Sequence, residues 1–126
     1  MQINNIDHIV LTVADIDKTI EFYTKIMGFE VITFGGYRKA LAFGNQKINL
    51  HQKGKEFEPK AQSPTCGSAD LCFISQTDIY DVLEELKQKN VEIIEGIVDR
   101  TGALGKIRSV YFRDPDQNLI EVSNYS

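Results

Sequence analysis

The hydrophobic positions switch between strand-like alternation and helical spacing, and the whole pattern restarts halfway along the chain. Residues 6–13, IDHIVLTV, are rich in β-branched side chains and predict a buried strand. Ile16, Ile20, Tyr23 and Met27 follow at helical spacing, with Asp15 placed to cap the helix and Gly28 to stop it. Strands are predicted over 29–34, 37–44 and 47–52, separated by turns at Gly35-Gly36 and Asn45-Gln46. That order is β-α-β-β-β. Residues 53–68, with their charges, prolines and glycines, read as a connector.

The second half repeats the order. Residues 69–75 predict a strand, and 77–90 a helix with Ile79, Val82, Leu83 and Leu86 on one face. Residues 91–96 predict a strand and 98–106 a glycine-containing loop. Residues 107–114 and 118–124 predict the last two strands, joined by a tight turn at Pro115-Asp116. A shift of 62 lays His8 on Asp70 and Ile20 on Val82. A shift of 72 lays Ile48-Asn49 on Ile120-Glu121. An internal duplication accounts for both. The expected fold is therefore α+β: two tandem βαβββ modules, 1–52 and 69–126, in one domain, their strands forming a curved mixed sheet with a concave trough.

Composition narrows the partners. The chain is 42% hydrophobic and 25% charged, as globular domains are. Its net charge of −4 argues against nucleic acid or an anionic membrane as partner. The one local basic cluster, Arg100, Lys106 and Arg108, suits a single anionic ligand. No apolar run is long enough to span a membrane, and the N-terminal residues lack the pattern of a secretory signal. Cys66 and Cys72 allow a disulfide by parity, but a domain of this size does not need one. The expectation is two reduced thiols and a cytoplasmic protein.

Strand alternation assigns side chains to faces. His8 shares a face with Val10 and Thr12; Asn49 and His51 lie opposite Ile48 and Leu50; Asp70 shares a face with Cys72 and Ile74; Glu121 lies opposite Ile120 and Val122. Under the repeat, each module offers polar groups on its first strand and its last. Asp70 and Glu121 interrupt apolar strands, which is costly unless each carboxylate is paired or binds a cation. His8 and His51 are the only two histidines in the chain. Imidazole with carboxylate suits zinc, nickel, manganese or ferrous iron better than calcium or magnesium. Each residue also has a plainer reading: His8 as a hydrogen-bonded structural histidine, His51 and Glu121 as solvent-facing. Their joint pattern favours a divalent-metal site.

The stretches DHIVLTVADIDKTIEFYTKIMGFEV and VYFRDPDQNLIEVSNY resemble the vicinal oxygen chelate superfamily of glyoxalases, extradiol dioxygenases, fosfomycin-resistance transferases and bleomycin-resistance proteins. The stretches KALAFGNQKINLHQKGKEFEPKA and RTGALGKIRSVYFRDPDQNLIEVSN further resemble its glyoxalase domain-containing and virulence-associated branch. The resemblance implies a divalent metal on the sheet, with His8 and Glu121 as first-strand and last-strand ligands. Asp70 stands where the second module usually offers histidine, and Asn49 where glyoxalase I has glutamate, with His51 two residues on. Asp70 disfavours the two-histidine, one-carboxylate arrangement of extradiol dioxygenases. The activity implied is a metal-dependent lyase or isomerase acting on a small oxygen-chelating substrate. Metal ligands would be His8, His51, Asp70 and Glu121. Glu121 would also shuttle protons, with Asp70 as the alternative base. Arg100 would act as a lid residue or stand as a solvated loop charge, and Tyr111 would lend a hydroxyl or fill the core. Asn49 would line the substrate site. Alternatives are a metal-free drug-binding module, a thiol transferase or a dioxygenase of the same superfamily. The resemblance also implies a homodimer.

Overall fold

Six residues, His8–Val13, form strand β1, and helix α1 follows at Ile16–Met27. Asp15 starts the helix through its Oδ1, which accepts from the Lys18 backbone N–H at 3.1 Å. Gly28 ends it in the left-handed conformation at φ 71, where a side chain would be strained. Strands β2 (Glu30–Phe34), β3 (Arg38–Phe43) and β4 (Gln46–Gln52) complete the first module. The second runs β5 (Asp70–Ile74), α2 (Ile79–Gln88), β6 (Glu95–Gly102), β7 (Gly105–Arg113) and β8 (Leu119–Tyr125). This computed structural model describes residues 1–126 and divides into two compact units, Met1–Gly67 and Ser68–Ser126.

Each unit holds one four-stranded mixed sheet, ordered β1-β4-β3-β2 in the first and β5-β8-β7-β6 in the second. The first strand runs parallel to the last in both. The registers correspond under the repeat: His8 lies beside Lys47 and Val10 beside Asn49, while Asp70 lies beside Leu119 and Cys72 beside Glu121. The expected α+β fold of two repeated βαβββ modules is the fold observed.

In the first unit Leu11, Val13, Leu41, Ile48 and Leu50 are buried along one sheet face. Phe43, on that face, stacks on Phe29, which stacks on the fully buried Tyr23 of α1. The helix therefore covers this face, and burial of these side chains drives its docking at about 1.5–3 kcal/mol each. In the second unit Val110, Phe112, Ile120 and Val122 form the corresponding buried face. Asn124 ties it to α2: its Oδ1 accepts from the Ile79 N–H at 2.6 Å, and its Nδ2 donates to the Ser75 and Thr77 carbonyls.

The largest departure from expectation lies between 91 and 106. Residues 91–94 are not strand; β6 begins at Glu95 and runs to Gly102. The expected loop over 98–106 is mostly a hairpin, with Gly102 paired to Gly105 across a two-residue corner at Ala103-Leu104. Two features hid it. The register slips between Gly96 and Val98, which breaks the alternation, and β6 is an edge strand that tolerates charges. Gly96 is required there: its φ is +145, and a Cβ would fall 2.8 Å from Val110 Cγ1. In the first unit the β3–β4 corner is Gly44-Asn45, one residue before the expected turn, since Phe43 pairs with Gln46.

Candidate functional site

In each unit the sheet face turned away from the helix carries the polar side chains. In the first unit β1 places His8, Val10 and Thr12 there, beside Lys47, Asn49 and His51 of β4. Ala40 pairs with Asn49, so β3 contributes Arg38, Ala40 and Ala42 to the same face. One step further along that ladder brings Arg38 abreast of His51.

His51 is only 3% exposed, and its Nε2 has no hydrogen-bond partner. Burial, reinforced by the Arg38 guanidinium and opposed by Glu56, lowers its pKa below the usual 6.5. The charged form of the ring is therefore disfavoured, and the neutral imidazole is the form that ligates metal. The Phe57 ring meets His51 edge-on at 5.5 Å. Asn49, 6% exposed, leaves its Oδ1 without a partner as well. His8, at the exposed start of β1, has Nδ1 2.7 Å from Asp7 Oδ1. A carboxylate on Nδ1 holds the proton there and frees Nε2, an arrangement common behind metal-bound histidine.

In the second unit Glu121 sits between Cys72 and Tyr111 in register. Its Oε2 accepts from the Ser109 hydroxyl at 2.6 Å and the Ser123 hydroxyl at 3.3 Å, and the two hydroxyls are 2.7 Å apart. These bonds fix a half-buried carboxylate in one orientation. Cys72 Sγ lies 3.4 Å from Ser123 Oγ, and burial raises the thiol pKa, so it stays a weak nucleophile. Cys66 and Cys72 are not joined in a disulfide.

Arg100 is not on a loop. It lies in β6, donates from Nε to the Tyr111 hydroxyl at 3.1 Å and pairs with Glu95 at 3.2 Å. Tyr111 is half-buried, and burial raises its pKa, with Arg100 opposing and Glu121 adding to the rise. It remains a phenol at neutral pH. Its oxygen accepts from Arg100, and its proton is directed to the Glu121 carboxylate. The expected basic cluster is split by alternation. Arg100 pairs with Ile107 on the polar face, whereas Lys106 and Arg108 alternate to the other face, and Arg108 reaches Tyr80 of α2 and Asp99.

Asp70 opens β5 and is exposed, so solvent meets the cost that a buried carboxylate there would have carried. No three histidine, cysteine, aspartate or glutamate side chains cluster as a metal-binding group. The structure places the anticipated residues on two sheets: Asn49 and His51 on the first, with His8 beside Lys47, four residues from His51 along β4, and Glu121, Tyr111 and Arg100 on the second. Sequence reading missed Arg38, Phe57, Ser109 and Ser123. Arg38 was accessible by extending the β3–β4 hairpin to its next pair; nothing local marks Phe57, which folds back from the connector.

Residues 5–122 match the Glyoxalase/Bleomycin resistance protein/Dioxygenase superfamily. The chain belongs to this superfamily. It is 61% identical over 125 residues to virulence protein STM3117 of Salmonella typhimurium, covering 99% of this chain and 87% of that protein. The crystal structure of that Salmonella protein superposes with a TM-score of 0.99 at 60% identity, covering 100% of both chains. The glyoxalase domain-containing protein RDO1 of Mycosarcoma maydis is 55% identical, over 99% of this chain and 70% of its own length. A crystal structure of the fosfomycin resistance protein FosX of Listeria monocytogenes, complexed with Mn(II) and a dihydroxypropylphosphonic acid, matches at 26% identity. Its TM-score is 0.64, with 96% of this chain and 90% of that chain covered.

Proposed function

We propose that this protein is a metal-dependent lyase or isomerase of glyoxalase type, acting on a small substrate that chelates through oxygen. The observation that carries the reading is the buried, unpartnered Nε2 of His51. An imidazole is not left this way at a sheet face without cost, and a divalent cation relieves it. His8, its free nitrogen set by Asp7, and Glu121, oriented by two serines, are the further ligands proposed. When bound, the cation supplies Lewis-acid stabilisation of charge developing on substrate oxygens.

The chain's own groups divide the remaining work. Glu121 accepts and returns the substrate proton, held for it by Ser109 and Ser123. Tyr111 keeps its proton and lends a hydroxyl hydrogen bond to charge developing on the substrate, and Arg100 keeps that hydroxyl aimed. Asp70 is the alternative base. The Mn(II) complex of FosX lends the metal reading support from within the superfamily.

The test is a turnover screen on hemithioacetals of 2-oxoaldehydes, catechols and acyl-CoA epimers, with zinc, nickel, manganese or ferrous iron added in turn. Metal-dependent conversion of one class meets the proposal. Ligand binding that no metal alters, without turnover of any class, would leave a sequestering module in its place.

A further inference from the structure

The first sheet carries a cation without an ion-pair partner. Arg38 is held between two aromatic rings, its guanidinium carbon 5.0 Å from the Phe34 centroid and 4.4 Å from the Phe57 centroid. Its Nε is buried without a hydrogen-bond partner, and no carboxylate pairs with it. Stacking secures the flat faces of a guanidinium but satisfies none of its in-plane donors. Beside it are two more buried polar atoms without partners, Asn49 Oδ1 and His51 Nε2, on side chains 94% and 97% buried. All three belong to one face of one sheet. Leaving three such groups unanswered is costly. A second cation, Lys47, lies 4.0 Å from the Phe34 centroid.

We propose that Arg38 is an oxyanion clamp, and that the ligand it receives carries a carboxylate or phosphoryl group next to a hydroxyl. The fork of Arg38 takes two oxygens of the anion side by side. Asn49 Oδ1 accepts from the neighbouring hydroxyl. The phenyl rings fix the guanidinium plane before the ligand arrives, so little rotamer freedom is lost on binding. The Phe57 ring, touching both Arg38 and His51, links this clamp to the imidazole. The clamp names a substrate class for the proposed reaction and rests on that reading only for turnover; binding is measured without it.

The experiment titrates the protein as purified, its metal content recorded separately, with lactate, inorganic phosphate and uncharged lactamide. Binding is read from calorimetry and from the Arg38 Nε–H resonance, assigned through Arg38→Lys. Lactate or phosphate, whichever is the better mimic, shifts that resonance, and lactamide does not. Arg38→Gln weakens the anion by about 10–100-fold, and Arg38→Lys, which keeps charge without the fork, by less. An unmoved resonance, equal binding of lactamide, or an affinity unchanged in a folded Arg38→Gln protein overturns the clamp. A protein that binds anions through Arg38 but holds no metal overturns the metal reading and leaves the clamp standing.

Discussion

The Ser109 hydroxyl donates to Glu121 Oε2 at 2.6 Å from the neighbouring strand, and Ser109 is itself fully buried. The bond joins a residue with no obvious chemistry to the carboxylate with the most. Removing a buried donor to a charged acceptor costs about 1.5–3 kcal/mol. Ser109→Ala should lower the urea midpoint accordingly. Because a freed carboxylate loses its orientation, metal affinity should also fall about 10–100-fold. Metal titration by calorimetry checks this; a loss of stability with affinity unchanged would make Ser109 structural only.

Tyr111 bears on turnover instead. Its hydroxyl accepts from Arg100 and bonds to Glu121 at the polar face of β7. Tyr111→Phe should lower stability by about 1–3 kcal/mol, since both bonds are lost. Turnover of an identified substrate should drop about 100-fold, as when one positioned donor is removed. Comparing KM with kcat locates the loss, which is expected in kcat.

His51 makes stability depend on pH. Its folded-state pKa is lowered, so the unfolded chain binds the proton more readily. The stabilising contribution is complete above about pH 6.5 and is lost as pH falls through the lower folded value. Melting temperature between pH 7.5 and 5 should therefore fall more steeply in the wild type than in His51→Gln. Parallel curves would mean that His51 titrates like an exposed histidine.

Asn124 is a structural counterpart. Its amide serves three backbone groups at the start of α2, among them the Ile79 N–H at 2.6 Å. Asn124→Ala leaves all three without their partner and should cost roughly 2–3 kcal/mol. The urea midpoint should move while the slope stays constant.

Periodicity made the repeated βαβββ order legible, because burial on one sheet face and one helix face leaves a mark every second or every third to fourth residue. The structure pairs Val10 with Asn49 and Cys72 with Glu121, which are matching positions under the two shifts of the repeat. Residues 95–102 escaped, since an edge strand with a register slip shows no clean alternation. At the candidate site, Asp70 and Glu121 stood out because carboxylates in apolar strands are costly, and His8 and His51 as the two histidines of the chain; Asp70 proved to be exposed at the start of its strand. Arg38 did not, because on one strand an arginine looks like a solvated charge; only the rings of Phe34 and Phe57 distinguish it. Ser109 and Ser123 were silent for the same reason: small hydroxyls acquire meaning from the carboxylate they meet.

Metal content tests the central claim most directly. Protein purified without a histidine tag and loaded with zinc, nickel, manganese or iron should retain about one equivalent of one of these metals after gel filtration. His51→Ala, His8→Ala and Glu121→Ala should each retain less than about 0.1 equivalents, with circular dichroism unchanged. A wild-type protein that holds none of these metals, or a His51→Ala protein that keeps the full complement, would contradict the account.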